Sequence, residues 1–196
     1  MTFTPPILEG RHVRLEPLTV DHLGPLCEVG LDPELWRWTV SQVATPDDMR
    51  RYIDEALAAE RTGTAHPYVT LDRGSGRVIG STRFGSLDPP HRRAEIGWTW
   101  LGRAWQGTAA NTEAKYLMLR HAFETMGCVR MEFKTDALNT RSRQALLRIG
   151  AQEEGTLRQH MTTQSGRLRD SVYFSILDRE WPEVRQALER RLPGAG

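Results

Sequence analysis

The stretch Trp105 to Ala114 reads WQGTAANTEA and opens onto a run of good helix formers. Side chains this small contribute little to a core, so the chemistry on offer is that of the backbone. A strand feeding a helix through such residues presents several unpaired N–H groups in one place. The helix dipole adds about half a positive charge at the same end. A phosphate or pyrophosphate fits there, because nothing bulky keeps the anion from the amides. A plain strand-to-helix turn uses the same residue types, and the stretch by itself leaves both readings open. G-x-x-x-x-G-K-[ST] and G-x-G-x-x-G are both absent, which argues against nucleoside triphosphate and dinucleotide sites of those kinds.

Other residues offer different chemistry. Glu95, in RAEIGWTW, stands just before the small-residue stretch on the polar side of an alternating pattern. A carboxylate there can act as a general base, or form a surface ion pair with Arg93 or Arg83. Asn139 and Ser142 are three residues apart at a helix start, one turn along the same face, and an Asn in that place also reads as a helix cap. His160 and Tyr173 on late strands can line a cleft or serve the fold. Trp36 and Trp38 can shape a pocket or fill a core. Cys27 and Cys128 lack C-x-x-C or Cys/His spacing, so no zinc site or other metal is expected and free thiols are.

These residues need elements to hold them. VRLEPL (Val13 to Leu18) alternates as an opening strand. Thr19 or Asp21 then caps a helix to about Leu31. After a loop with Pro33, Trp36 and Trp38, a second helix starts at Asp47 and Asp48, with Met49, Tyr52, Ile53, Ala56 and Leu57 at helical spacing. HPYVTLD, RGSG and RVIGSTRF predict a hairpin. RAEIGWTW predicts a strand with Ala94, Ile96, Trp98 and Trp100 on one face and Arg93, Glu95, Gly97 and Thr99 on the other. A helix is expected from about Asn111 to Met126, its apolar stripe Tyr116, Leu119, Phe123 and Met126, its polar ridge Glu113, Arg120 and Glu124, and its stop Gly127. RMEFKTDA follows as a strand and TRSRQALLRI as a short helix ending at Gly150. Strands over Gly155 to Met161 and Ser171 to Leu177 flank a turn at Gln164 to Gly166. A terminal helix starts near Glu180 with Pro182 in its first turn. The order predicts one α/β (α+β) domain over residues 1–196 around a central sheet.

The bulk numbers agree. A chain of 196 residues, 39% hydrophobic and 26% charged, is a globular chain with enough length for its own core. Its 26 basic and 25 acidic residues nearly cancel, which gives no electrostatic reason for a nucleic-acid partner. The opening MTFTPPILEG has neither a basic start nor a long apolar segment, and no run approaches the roughly 18 apolar residues of a membrane span. A cytoplasmic protein without secretory signal or membrane association is expected.

Gln106 to Ala114 resembles the acyl-coenzyme-A loop of the GCN5-related N-acetyltransferases, Q/R-x-x-G-x-G/A, often continued by T-E-A. Gln106 and Thr112-Glu113-Ala114 match; Ala109 stands where glycine is usual, and Asn111 where glycine or alanine is. DALNTRSRQALLRIGAQEEGTL (Asp136 to Leu157) resembles the family's next motif, with Asn139, Ser142 and Gly150 in place and Ala151 for the aromatic. AEIGW resembles the strand before the loop, and LEGRHVRLEPL the first strand of the RimJ/RimL branch, which acetylates ribosomal-protein N-termini. The likeness runs in the right order along nearly the whole chain.

This resemblance implies a mixed, mostly antiparallel sheet of about seven strands flanked by helices. It implies transfer of an acetyl group from acetyl-coenzyme A to a primary amine, such as a protein N-terminal α-amine, by direct attack and without a metal. Backbone amides from Gln106, Gly107, Thr108, Ala109, Ala110 and Asn111 would hold the pyrophosphate, with Thr112 adding a hydroxyl. Asn139 would meet the pantetheine or the amine. The tyrosine that many relatives use to protonate the leaving sulfur falls at Leu146, so Ser142 takes that role, as in the RimJ/RimL branch. Glu95 is the base. The arginines of RRAEIG, TRSRQ and GRLRD would touch the coenzyme's 3′-phosphate or be solvated. The acceptor stays open to a small amine or antibiotic, and the donor to a succinyl group. A coenzyme-A-binding module without turnover is the reading from another class. Members of the branch are often homodimers, a state on which the sequence is silent.

Overall fold

The computed structural model describes residues 5–192. The reading of the first four residues, and the ends of the 1–196 span, lie outside the described residues. One sheet runs in the order β1-β2-β3-β4-β5-β6-β8-β7. Its strands are β1 (Leu8–Glu9), β2 (Val13–Pro17), β3 (His66–Asp72), β4 (Val78–Asp88), β5 (Arg93–Leu101), β6 (Arg130–Asp136), β7 (Gln152–Thr162) and β8 (Leu168–Leu177). Between and after them come α1 (Leu23–Gly30), α2 (Pro46–Arg61), α3 (Ala109–Glu124), α4 (Thr140–Arg148) and α5 (Trp181–Arg191). The strand beyond the expected seven is β1, too short to leave a period-two pattern. Neighbouring strands pair antiparallel except β5 with β6, which run parallel. Their connection is a crossover through α3, as a parallel pair requires.

Alternation along the strands feeds two apolar layers. Tyr68, Ile79, Phe84, Ala94, Ile96, Met131, Phe133 and Phe174 pack with α3, α4 and α5 on one face. Val69, Val78 and Trp100 pack with Leu26, Trp36, Met49, Tyr52 and Ile53 from α1, α2 and their link on the other. α2 begins at a capping box between Thr45 and Asp48, with Pro46 in its first turn. Thr19 starts the 3-10 turn that leads into α1, paired reciprocally with His22. Among the described residues both cysteines are free thiols.

α3 begins two residues before the expected Asn111 and is buried nearly all round, as a helix lying across a sheet must be. Glu113 does not belong to the polar ridge. Its side chain is fully buried and accepts hydrogen bonds from the backbone N–H groups of Arg11 (2.9 Å), His12 (2.6 Å) and Val13 (2.7 Å). The carboxylate therefore fastens α3 to the start of β2. Spacing on the helix cannot reveal this, because the three donors lie about a hundred residues away in sequence.

The predicted face of β5 is also corrected. Ala94 and Ile96 join the α3 layer, but Trp100 joins the α1–α2 layer and Trp98 is 41% exposed. A β-bulge is the cause: Ser81 to Arg83 on β4 lies opposite Trp100 to Gly97 on β5, and Trp98 has a left-handed φ of 50°. The inserted residue puts Gly97 and Trp98 on the side of Glu95 and reverses the alternation beyond them.

Candidate active site

β5 and β6 pair at Arg93–Arg130, Ala94–Met131 and Glu95–Glu132 and then part, although β5 continues to Leu101 and β6 to Asp136. The opening faces the carboxyl ends of the two parallel strands, where open α/β sheets take their ligands. Both strands feed helices there, α3 after β5 and α4 after β6. Gln106 joins the two connections: its Nε2 donates to the Leu101 carbonyl (2.8 Å), and its Oε1 accepts from Arg141 Nη1 on α4 (2.6 Å).

Gly107 has a φ of 78°, a conformation that favours glycine. Thr108 caps α3, its hydroxyl accepting from the Ala110 N–H (3.2 Å) and donating to the Trp105 carbonyl (2.7 Å). The cap spends the Ala110 N–H, and the Gln106 N–H, expected in the cradle, instead donates to the Arg103 carbonyl (3.2 Å). Helix geometry leaves those of Thr108, Ala109 and Asn111 without an intrahelical acceptor. Thr112 lies far enough into the helix that its N–H serves the i→i−4 ladder, so it can offer a ligand only its hydroxyl. Ala109 is the first helical residue, where a Cβ is no hindrance and glycine is not required.

Asn139 caps α4, its Oδ1 accepting from the Ser142 N–H (3.0 Å). The structure thus places Asn139 and Ser142 together in the first turn of a helix, beside the connection that holds Gln106. Leu146 is buried in the α3 layer, so this position offers no acid.

Glu95 is not a surface carboxylate. It is 4% exposed, and its Oε2 pairs with Lys134 on β6 (2.7 Å) and accepts from Ser86 Oγ (3.2 Å). Neither arginine is its partner: Arg93 pairs with Asp88 and Glu132, and Arg83 lies against the Tyr52 and Trp98 rings. The other oxygen, Oε1, borders the bulge, since a Cβ at Gly97 would fall 2.9 Å from it. Burial works against the charge of Lys134, but the adjoining Glu95 outweighs it and raises the lysine's pKa. Lys134 also stands over the Tyr173 ring (5.6 Å), and Tyr173 Oη lies 3.5 Å from His160 Nε2. No described bond joins Glu95 to Asn139 or Ser142.

Trp36 is core, whereas Trp38 is half-buried and carries the guanidinium groups of Arg37 (4.8 Å) and Arg167 (5.6 Å) over its ring. Of the arginines considered for a coenzyme phosphate, Arg141 stands at the loop. Arg92 binds the Gly127 carbonyl, Arg143 pairs with Glu153, and Arg167 pairs with Asp136. Lys115 joins the site without a motif to mark it. It is 6% exposed, donates from Nζ to Thr99 Oγ1 (2.6 Å), and burial draws its pKa down to about 7. Thr99 shares its hydroxyl with Thr82 (2.7 Å). The available signal was its helical spacing with Met118, Leu119 and Ala122, which sets a lysine in line with apolar residues. Among the described residues no cluster of three or more His, Cys, Asp or Glu could hold a metal, and no helix is long and apolar enough to cross a membrane.

Comparison with known proteins adds independent findings. Residues 12–152 match the family described as the acetyltransferase (GNAT) domain. The chain is 30% identical over 171 residues to the uncharacterized N-acetyltransferase p20 of Bacillus licheniformis, covering 85% of this chain and 93% of that one. It is 31% identical over 143 residues to YdaF of Bacillus subtilis strain 168, provisionally named a ribosomal N-acetyltransferase, covering 73% and 72%. A GCN5-related N-acetyltransferase from Brucella melitensis superposes with a TM-score of 0.88 at 33% identity, over 96% of this chain and 87% of that one. RimJ of Mycobacterium smegmatis, solved in complex with CoA-disulfide, shares the fold with a TM-score of 0.83 at 22% identity, over 97% and 96%.

Proposed function

The chain belongs to the GNAT acetyltransferase family and is an acyl-coenzyme-A-dependent acetyltransferase, and on that premise we propose that it acetylates a primary amine that meets the thioester at the opening between β5 and β6. The observation that carries this reading is the parting of those strands after Glu95, with two helix N-termini bound side by side through Gln106 and Arg141. The residues present fit the coenzyme: the free N–H groups of Thr108, Ala109 and Asn111 and the dipole of a 16-residue helix suit a pyrophosphate. The backbone around Gln106, Gly107 and Ala110 shapes the cradle, Thr112 adds its hydroxyl, and Arg141 stands ready for a further phosphate. When bound, the coenzyme supplies an activated acetyl group.

The chain's own groups do the rest. The amine enters over the polar face of β5, β6 and β8, and Glu95 Oε1 takes its proton, directly or through water. An amine with a pKa near 8 needs only this modest help. Ser142, at the positive end of α4, donates a hydrogen bond from its hydroxyl to the departing thiolate sulfur, and Asn139 holds the turn that aims it. The ribosomal name of YdaF and the RimJ likeness support a protein N-terminal α-amine as the acceptor class, with a small amine as the rival. Coenzyme A release in the presence of primary amines tests the transfer. In Glu95→Gln the pH–rate profile should lose an ionisation while acetyl-coenzyme A binding persists. An unchanged profile removes Glu95 as the base.

A further inference from the structure

The face of the sheet that carries Glu95 also buries two guanidinium groups that pair with no carboxylate among the described residues. Arg83 on β4 is 5% exposed and Arg169 on β8 is 7% exposed. In each, Nε is buried without a hydrogen-bond partner, and among the described residues neither forms an ion pair with a carboxylate. The nearby carboxylates are engaged elsewhere: Glu95 Oε2 by Lys134 and Ser86, and Asp136 by Arg167 and the Leu138 N–H. Arg169 feels Asp136 and Glu95 at longer range, yet burial still keeps its pKa below the ordinary value for arginine.

Arg83 is also held in place. Its guanidinium carbon lies 5.2 Å from the Tyr52 ring centroid and 4.9 Å from that of Trp98. The Trp98 indole is seated over Gly85, where any Cβ would come within 2.3 Å of it, and the Tyr52 hydroxyl donates to the Trp98 carbonyl (3.2 Å). The bulge that turns Trp98 to this face therefore builds half of the clamp. Rings over a guanidinium leave its in-plane donors for a ligand, and that planar fork matches a carboxylate. Arg83 pairs in register with Gly97, two residues from Glu95, while Arg169 approaches from β8 on the other flank of β5 and β6. A buried cation without a counter-charge costs stability, and a ligand can supply that charge.

We propose that the acceptor amine carries a carboxylate a few bonds away, bound by Arg83 with Arg169 on its far flank while the amine faces Glu95. This rests on the acetyl-transfer reading and narrows its substrate. The chemistry is shared by free amino acids and by peptides that begin with an acidic residue, and the experiment separates the two. Coenzyme A release is followed with free amino acids, with the amines left by their decarboxylation, and with C-terminally amidated peptides beginning with Asp, Glu, Ala or Lys. The expected result is a kcat/KM at least tenfold higher for carboxylate-bearing acceptors than for their uncharged counterparts, in the free or the peptide arm. In Arg83→Gln that preference should fall at least tenfold, chiefly through KM for the carboxylate acceptor. Arg169→Gln serves as the second variant, and the wild-type panel decides the question even if neither variant folds. Preference for uncharged or basic amines overturns the proposal and leaves acetyl transfer standing. So does turnover of no carboxylate-bearing acceptor by a sample that binds acetyl-coenzyme A. A folded sample that binds no acetyl-coenzyme A fails the transfer reading itself.

Discussion

At the scale of single residues, the proposed chemistry divides between groups legible in one short stretch and groups assembled from several. Asn139 and Ser142 stand three apart in one helix turn, so sequence spacing brings them together, and the structure joins them at 3.0 Å. Glu95 was legible as a polar residue on a strand, but its partner was not. Lys134 lies on β6, and only the parallel register of Glu95 with Glu132 brings the two side chains together. Arg83 is harder still, since its setting depends on Tyr52 of α2 and on a bulge in β5. The prediction at this scale concerns Ser142. Replacing its hydroxyl in Ser142→Ala should lower kcat by about 100-fold or more, the range of a lost general acid, with acetyl-coenzyme A affinity nearly unchanged. Single-turnover kinetics with calorimetry separates the two, and an unaffected kcat rules the donor role out.

At the scale of elements, α3 joins structure to chemistry. One end is the proposed cradle, Glu113 ties its first turns to β2, and Lys115 reaches across to Thr99 on the part of β5 that has left β6. The helix itself was readable, but its burial on both flanks was not, because an amphipathic reading assigns every charge to solvent. Glu113 and Lys115 are the two that go inward, each satisfied by a partner distant in the chain. Lys115 has a thermodynamic consequence. Burial lowers its folded pKa to about 7 from the ordinary 10.5. Between those values the unfolded chain holds more protons than the folded one, so this residue's contribution to stability rises with pH across that window. Relative to Lys115→Met, the wild type should gain on the order of 4 kcal/mol between pH 7 and pH 10. Denaturant melts of both proteins at each pH measure the difference, and a constant difference contradicts a buried ammonium of low pKa.

At the scale of the whole molecule, the two faces of the sheet have separate tasks. α3, α4 and α5 cover one face, and both helices that start at the parting of β5 and β6 come from this layer. α1 and α2 cover the β3–β4 half of the other face and reach Trp100 at the end of β5, leaving Glu95, Lys134, Tyr173 and Arg169 as a polar group beyond Tyr52 and Trp98. The order of elements was legible because each carries its own period and punctuation, and the motif order pointed to the family. The parting of the parallel pair and the bulge were not, since both arise from how strands meet rather than from what either strand spells. The central claim is that this opening takes an acyl-coenzyme A. Calorimetric titration with acetyl-coenzyme A and coenzyme A, with NADPH and ATP as controls, tests it most directly. The account predicts one-site binding of the coenzyme A series with a Kd of about micromolar or tighter and none of comparable strength for the controls. A folded sample that binds no coenzyme A would contradict it.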